Sequence, residues 1–177
     1  MHTQTTLDLV LIFVLLLASA FDVRQRRIPN RLLAASLLIA LALHLASGTP
    51  SALLTTYLAG FGVGLLMFLP LYLLGGMAAG DVKLMATVGA FTGPAMALQI
   101  ALAAFCAGGL MALVLIVASG RLRDTGANLM ALLRPLFLRL GGIPAVAEPL
   151  PTPSVGNMPY AVAIAGGAFF TLARPWL

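Results

Sequence analysis

Long stretches without a charged side chain are the feature of this sequence that most restricts its fold. Residues 9–21, 32–80, 84–120 and 149–173 contain no Asp, Glu, Lys or Arg. A helix needs about 20 apolar residues to cross a bilayer, and the second stretch is long enough for two such helices. Only 8% of the residues are charged, against about 25% in soluble domains, so the composition excludes a soluble or a disordered protein.

Turn residues divide the longest stretches into helices. The breakers are Ser47-Gly48-Thr49-Pro50 in one stretch and Thr92-Gly93-Pro94 in another. The sequence therefore predicts an all-α, polytopic membrane protein with six transmembrane helices. The predicted helices are 5–22, 32–47, 52–74, 81–92, 95–119 and 158–173. The fourth is short for a bilayer, which is tolerated where its start is buried in protein or lines a wet cavity.

The basic residues predict the topology. Four arginines fall between helices 1 and 2, Lys83 opens helix 4, four more arginines fall between helices 5 and 6, and Arg174 alone falls on the other side. By the positive-inside rule the basic face is cytoplasmic and both termini are periplasmic. We expect one membrane-embedded domain over residues 1–177, with cytoplasmic loops at about 23–31, 75–81 and 120–157.

Several classes of site are disfavoured by residue counts. The net charge of +5 reports topology in a membrane protein, so we expect lipid and no nucleic acid as a partner. One cysteine and two separated histidines give no metal-ligand set. We expect neither a metal nor a cofactor. The sequence leaves the oligomeric state open.

Two aspartates stand at the inner ends of predicted helices. Asp22 follows the first apolar run directly, and Asp81 opens the fourth helix after Gly80. Helices 2 and 3 go out and return between them, so both carboxylates end at the same face and similar depth. Ionisable groups at membrane depth are expensive and are functional candidates. The structural alternative is that each pairs with a nearby cation. Asp22 has Arg24 and Arg26 close by, and Asp81 has Lys83.

Two adjacent carboxyl groups suit peptide hydrolysis. They cannot both ionise easily, so one keeps a proton while the other acts as a base. Such a pair can activate a water and protonate a departing amine. The glycines of the segment 75–80 leave room for an extended peptide beside Asp81. Gly60 and Gly64, spaced as G-x-x-x-G in helix 3, and Gly108 with its neighbour in helix 5 predict close helix packing.

Three segments resemble motifs of the prepilin peptidases, the type IV prepilin leader peptidases of the A24-type aspartic membrane proteases. Asp22–Asn30 (DVRQRRIPN) resembles their D-x-R-x-x-x-I-P-N segment. Gly75–Leu84 (GGMAAGDVKL) resembles G-x-G-D-x-K-L, and Pro159–Ala163 (PYAVA) resembles P-Y-x-x-A. The order and spacing hold over nearly the whole chain. The size resembles the short members that serve Flp/Tad-type pili, the TadV/CpaA-like group.

The resemblance implies an aspartic endopeptidase of the bacterial inner membrane that cuts the leader from prepilins and pseudopilins at the cytoplasmic face. It implies Asp22 and Asp81 as the catalytic pair. Residues expected to support the pair are Ala78, Gly80, Lys83, Arg24, Pro29 and Asn30. Residues expected to border the substrate site are Asn157, Pro159 and Tyr160.

Two departures from the family pattern carry expectations of their own. Ala78 stands where the motif has its first glycine, and alanine does not tolerate a positive φ as glycine does. Larger members carry an insert with paired C-x-x-C motifs and also N-methylate the pilin. This chain has only Cys106, so we expect no methyltransferase activity.

Two alternatives from other classes stay open. A non-catalytic pilus or secretion assembly protein would keep the fold without needing both aspartates. A proton- or cation-coupled transporter subunit would use them as ion ligands, but it predicts polar residues through mid-membrane, where this sequence is almost wholly apolar.

Overall fold

The computed structural model of the chain describes residues 2–48, 50–120 and 158–173, together with isolated positions between 123 and 134. These residues form helices and turns, with no strand among them. The elements are α1 (His2–Gln25), α2 (Asn30–Ala46), the single turn α3 (Pro50–Ala52), a π-helical segment (Leu53–Leu58), α4 (Ala59–Leu73), α5 (Ala79–Thr92), α6 (Pro94–Ala118) and α7 (Tyr160–Ala173).

Each of the six helices predicted from the sequence coincides with helical structure, and the all-α class is confirmed for the described residues. The third predicted helix differs in detail, because it begins with one α-turn and then a π-helical segment before α4. A π-helical segment shifts the hydrogen-bond register and has no signature in an apolar sequence. The Thr55 hydroxyl donates to the Ser51 carbonyl oxygen at 2.9 Å within this stretch.

Three stretches of helix are long and apolar enough to cross a membrane: Gln4–Gln25, Leu53–Leu73 and Pro94–Ala118. Asn30–Ala46 and Tyr160–Ala173 are shorter and also apolar. The outer surface of α1 carries large apolar side chains, with Phe13 61% and Leu16 63% exposed. Apolar groups that face outward in this way are suited to hydrocarbon, so the helices are compatible with a membrane protein.

Helix α5 lies at the centre of the bundle. From Asp81 to Phe91 every residue except Lys83 is buried, and α5 packs against α1, α2, α4 and α7. Fourteen residues extend about 21 Å, which is less than the hydrocarbon core of a bilayer, about 30 Å thick. Its neighbours bury the middle and the C-terminal part of this short helix, whereas its first residue, Ala79, is exposed.

Helices α4 and α5 approach through glycine, as the G-x-x-x-G spacing predicts. A Cβ added at Gly60 would collide with the backbone of Gly89, and one at Gly64 would collide with the backbone of Met85. A Cβ at Gly62, on another face of α4, would meet nothing within 4 Å among the described residues. The close contact therefore depends on two glycines of α4 and fixes where α5, and with it Asp81, lies.

The chain divides into two compact units. One comprises the residues up to Gly108 together with those from Pro159 onward, and it has the buried apolar core around Leu11, Phe68 and Phe91. The other runs from Gly109 to Met158, and its described residues include the second half of α6. Both aspartates and α7 belong to the first unit.

Candidate active site

Asp22 lies in the last turns of α1 and is 7% exposed. The backbone N–H of Ala161 donates to its Oδ2 at 3.0 Å. Ala161 is the second residue of α7, and the N–H groups of a first helical turn have no partner inside their own helix. The Asp22 carboxylate therefore satisfies a donor of α7, and α7 fixes the orientation of that carboxylate.

A second contact joins α1 to the start of α7. The Ser19 hydroxyl donates to the carbonyl oxygen of Ala161 at 3.2 Å. Ser19 lies three residues before Asp22, so it shares a face of α1 with the aspartate. Ala161 is thus held on both its N–H and its carbonyl side by α1.

Asp81 lies in the first turn of α5 and is 6% exposed. Ala78 is the N-cap residue, which makes Asp81 the third helical residue. From that position an acidic side chain reaches back to the N-cap N–H, and the backbone of Ala78 does interact with the Asp81 carboxylate. Helix geometry therefore orients the second carboxyl group.

The two carboxylates lie within range of each other's charge, since the charge of Asp22 acts directly on Asp81. They come from α1 and α5, which also pack together. Two buried acidic groups held this close disfavour ionisation of both at once. The structure thus brings together the two aspartates that the sequence singled out.

Among the described residues, Asp22 and Asp81 do not form the ion pairs with neighbouring cations that the structural alternative requires. Arg24 is exposed, and Lys83 donates to the side-chain oxygen of Asn30 at 3.1 Å. In the described part of the chain, Arg24, Arg26 and Lys83 form no ion pair with either aspartate. The carboxyl groups are therefore not neutralised by these cations.

The loop before Asp81 adopts a backbone that alanine accommodates. Ala78 has φ −80° and ψ 147°, an extended conformation open to any residue. The positive φ lies three residues earlier, at Gly75, where φ is 74°. The departure from the family glycine at position 78 therefore introduces no backbone strain here, because the left-handed residue of this loop is still a glycine.

The segment between α1 and α2 packs on this loop. A Cβ at Gly80 would stand 3.5 Å from the Cβ of Ile28, an ordinary contact distance. Pro29 is the N-cap residue of α2 with φ −64°, so it ends the loop where Asn30 can receive Lys83. The two contacts, Ile28 with Gly80 and Asn30 with Lys83, join the loop after α1 to the start of α5.

Tyr160 borders the pair from the start of α7. Its hydroxyl donates to the carbonyl oxygen of Ala104 at 3.2 Å, and its ring packs edge-on against Phe68 with centroids 5.9 Å apart. The charge of Asp81 acts on the Tyr160 hydroxyl. A Cβ at Gly108 would collide with the ring, so close packing at this glycine, also predicted from the sequence, is confirmed.

Two members of this arrangement were not predicted from the sequence. The Ala161 N–H is a backbone donor, which no side-chain pattern marks. Ile28 belongs to the I-P-N segment but was not singled out as a site residue. The sequence signal that could have pointed to the Ala161 N–H was the P-Y segment directly before it. Pro159 and Tyr160 lie half-buried at the start of α7, whereas Asn157, predicted at the same border, lies outside the described residues.

Fold and site together define a class: a helical membrane protein with a buried pair of carboxyl groups at one end of its bundle. The type IV leader peptidase family matches residues 9–113, a segment that includes Asp22, Asp81 and the whole of α5. The chain belongs to the type IV leader peptidase family. Neither a curated protein nor a solved structure matches the chain.

Proposed function

We propose that the chain is an aspartic endopeptidase that removes the leader from type IV prepilins and pseudopilins of the Flp type. One observation carries the aspartic mechanism: Asp22 and Asp81, distant in sequence, are both buried, and the charge of Asp22 acts on Asp81. Membership of the leader peptidase family supports the substrate class.

The reaction needs only the carboxyl pair and a water. One carboxylate takes a proton from the water, and the oxygen of that water attacks the scissile carbonyl carbon. The other carboxyl group gives its proton to the carbonyl oxygen of the substrate. As the C–N bond breaks, the first returns its proton to the amine nitrogen and the second regains one from the new carboxyl group. The Ala161 N–H holds Oδ2 of Asp22, which leaves Oδ1 for the water.

The same proposal implies how the protein lies in the membrane. Six helices cross the bacterial inner membrane as one peptidase domain, with both termini periplasmic and the aspartates at the cytoplasmic side. The basic residues Arg24, Arg26 and Arg27, all exposed, support this orientation because arginine-rich loops remain cytoplasmic. The apolar helix of a prepilin would then lie in the bilayer with its scissile bond at the level of Asp22 and Asp81.

Co-expression with a Flp-type prepilin from the same genome tests the proposal. Asp22→Asn and Asp81→Asn should each lower the rate of leader cleavage by at least about 100-fold, the usual contribution of general acid–base catalysis. Asp8→Asn is the matched control, because Asp8 lies about four helical turns from Asp22 on α1 and contacts Gln4. A gel shift of the pilin measures cleavage, and immunoblotting of membranes measures the amount of each variant.

Each outcome of this experiment tests a different part of the proposal. Cleavage retained in either variant contradicts the aspartate pair as the catalytic group. Failure of the wild type to cut any prepilin of its genome would favour the non-catalytic assembly protein. Mature pilin isolated after cleavage should carry an unmethylated N-terminus even with a methyl donor present, and mass spectrometry decides this.

A further inference from the structure

An apolar groove opens on the side of the bundle bordered by α2, α4 and α5. Its volume is about 240 Å³. Helix α2 contributes Leu33, Ala34 and Leu37, and α4 contributes Phe61 and Leu65. The spacing of three and four residues means that each helix presents one continuous face to the groove. From the level of residue 30 to that of residue 37 the groove extends about 10 Å along α2.

The polar lining of the groove is concentrated at one end. Asn30, the first residue of α2, and Lys83, near the start of α5, form this end and are both exposed. The one other polar residue of the lining, Thr87, donates its hydroxyl to the carbonyl oxygen of Lys83 at 2.9 Å. The groove therefore combines a cationic mouth with an apolar interior.

The groove lies on the far side of α5 from the aspartate pair. Helix α5 lines it with Lys83, Ala86 and Thr87. At about 100° per residue, the mean direction of these three is roughly 190° around the helix from Asp81. A peptide lying in the groove could not present its scissile bond to Asp81, which argues against the substrate as the occupant.

We propose that the groove binds an anionic phospholipid, with one acyl chain against Leu33, Leu37 and Leu65 and the phosphate against Lys83. Charge complementarity selects the headgroup. An ammonium group has three donors, so Lys83 can keep its bond to Asn30 and still bind a phosphate oxygen. Basic residues beside a membrane surface favour anionic lipids, and the exposed Arg31 follows Asn30 directly.

The test compares lipid binding by the purified full chain, without any substrate. The protein in detergent receives phosphatidylglycerol or phosphatidylcholine with identical acyl chains, and native mass spectrometry counts bound lipids. Lys83→Gln removes the charge but keeps a donor for Asn30. Ala34→Phe fills the groove from α2, and Ala35→Phe is its matched control, because Ala35 is exposed on α2 and outside the lining.

The wild type and Ala35→Phe should prefer phosphatidylglycerol, and Ala34→Phe should lose that bound lipid. Lys83→Gln should lower the preference about fivefold, the contribution of one cation near an anionic surface. Thermal unfolding shows that each variant is folded. The proposal is overturned if the wild type binds both lipids equally, if either test variant behaves as Ala35→Phe, or if an added prepilin displaces the bound lipid.

Discussion

Gly108→Ala tests whether α6 sets the position of Tyr160 and, through it, the donor to Asp22. A Cβ at Gly108 would stand 2.8 Å from both Cζ and the hydroxyl oxygen of the Tyr160 ring. Non-bonded carbon atoms pack at about 3.5–4.0 Å, and Cε2 of the ring would be closer still, so the ring must retreat by at least about 1 Å. Ala161 follows Tyr160 directly, and therefore its N–H, which orients Asp22, moves as well.

The size of the effect follows from this displacement. A misplacement of about 1 Å near a catalytic group can lower the rate about 100-fold, so we expect kcat to fall by roughly 10- to 100-fold with KM near that of the wild type. Overpacking costs about 1–3 kcal/mol. The gain of about 0.5–1 kcal/mol for alanine over glycine in a helix offsets part of it, which leaves a net loss of stability of up to about 2.5 kcal/mol.

Gly109→Ala is the matched control, because a Cβ there meets nothing within 4 Å among the described residues. It carries the same gain in helix propensity without the contact. The assay is leader cleavage in membrane vesicles over a range of prepilin concentrations, with thermal unfolding of each purified variant. A wild-type kcat for a stably folded Gly108→Ala protein would refute the reasoning, as would equal impairment of both variants.

Three further predictions concern the frame around the aspartates. Gly64→Ala should lower thermal stability because its methyl meets the backbone of α5, while Gly62→Ala should not; equal melting temperatures would contradict the close packing. Lys83→Met and Asn30→Ala should show a coupling free energy of about 0.5–1 kcal/mol in a double-mutant cycle of unfolding, and an additive result would mean that their hydrogen bond is worth nothing. Arg26 has a φ of 54°, so Arg26→Gly should stabilise the protein by about 1 kcal/mol in denaturant unfolding, and a loss of stability would indicate that the side chain has a structural role.

Helix positions were predictable because charge and turn residues act locally. The breakers around Gly48 and Gly93 end helices by their own conformational preferences: both have φ above 60° in the structure. The pairing of α4 with α5 was also readable, since G-x-x-x-G spacing in an apolar helix has one dominant physical use. The π-helical segment Leu53–Leu58 could not be predicted from the sequence, because the same leucines and threonines suit an α-helix.

The sequence pointed to the acidic residues of the candidate site and, through the P-Y segment, to Tyr160 beside them. Asp22 and Asp81 stand out because charge is rare in this chain and because each lies near the end of an apolar helix. The group that orients the Asp22 carboxylate could not be predicted from the sequence. The Ala161 N–H is a backbone group, and its contact with Asp22 depends on how α1 and α7 pack. The conformation of Ala78 also required the structure, because the motif alone does not show which position of the loop takes the positive φ.

The bond between Ala161 and Asp22 has a consequence for the order in which the protein is made. Asp22 and Asp81 emerge from the ribosome well before Ala161, and at 5–20 residues per second the interval between Asp81 and Ala161 is roughly 4 to 16 s. During that interval the nascent chain has both carboxyl groups but not the donor that orients Asp22. Asp22 therefore gains the donor that orients its carboxylate only after α7, the last described helix, has docked against α1.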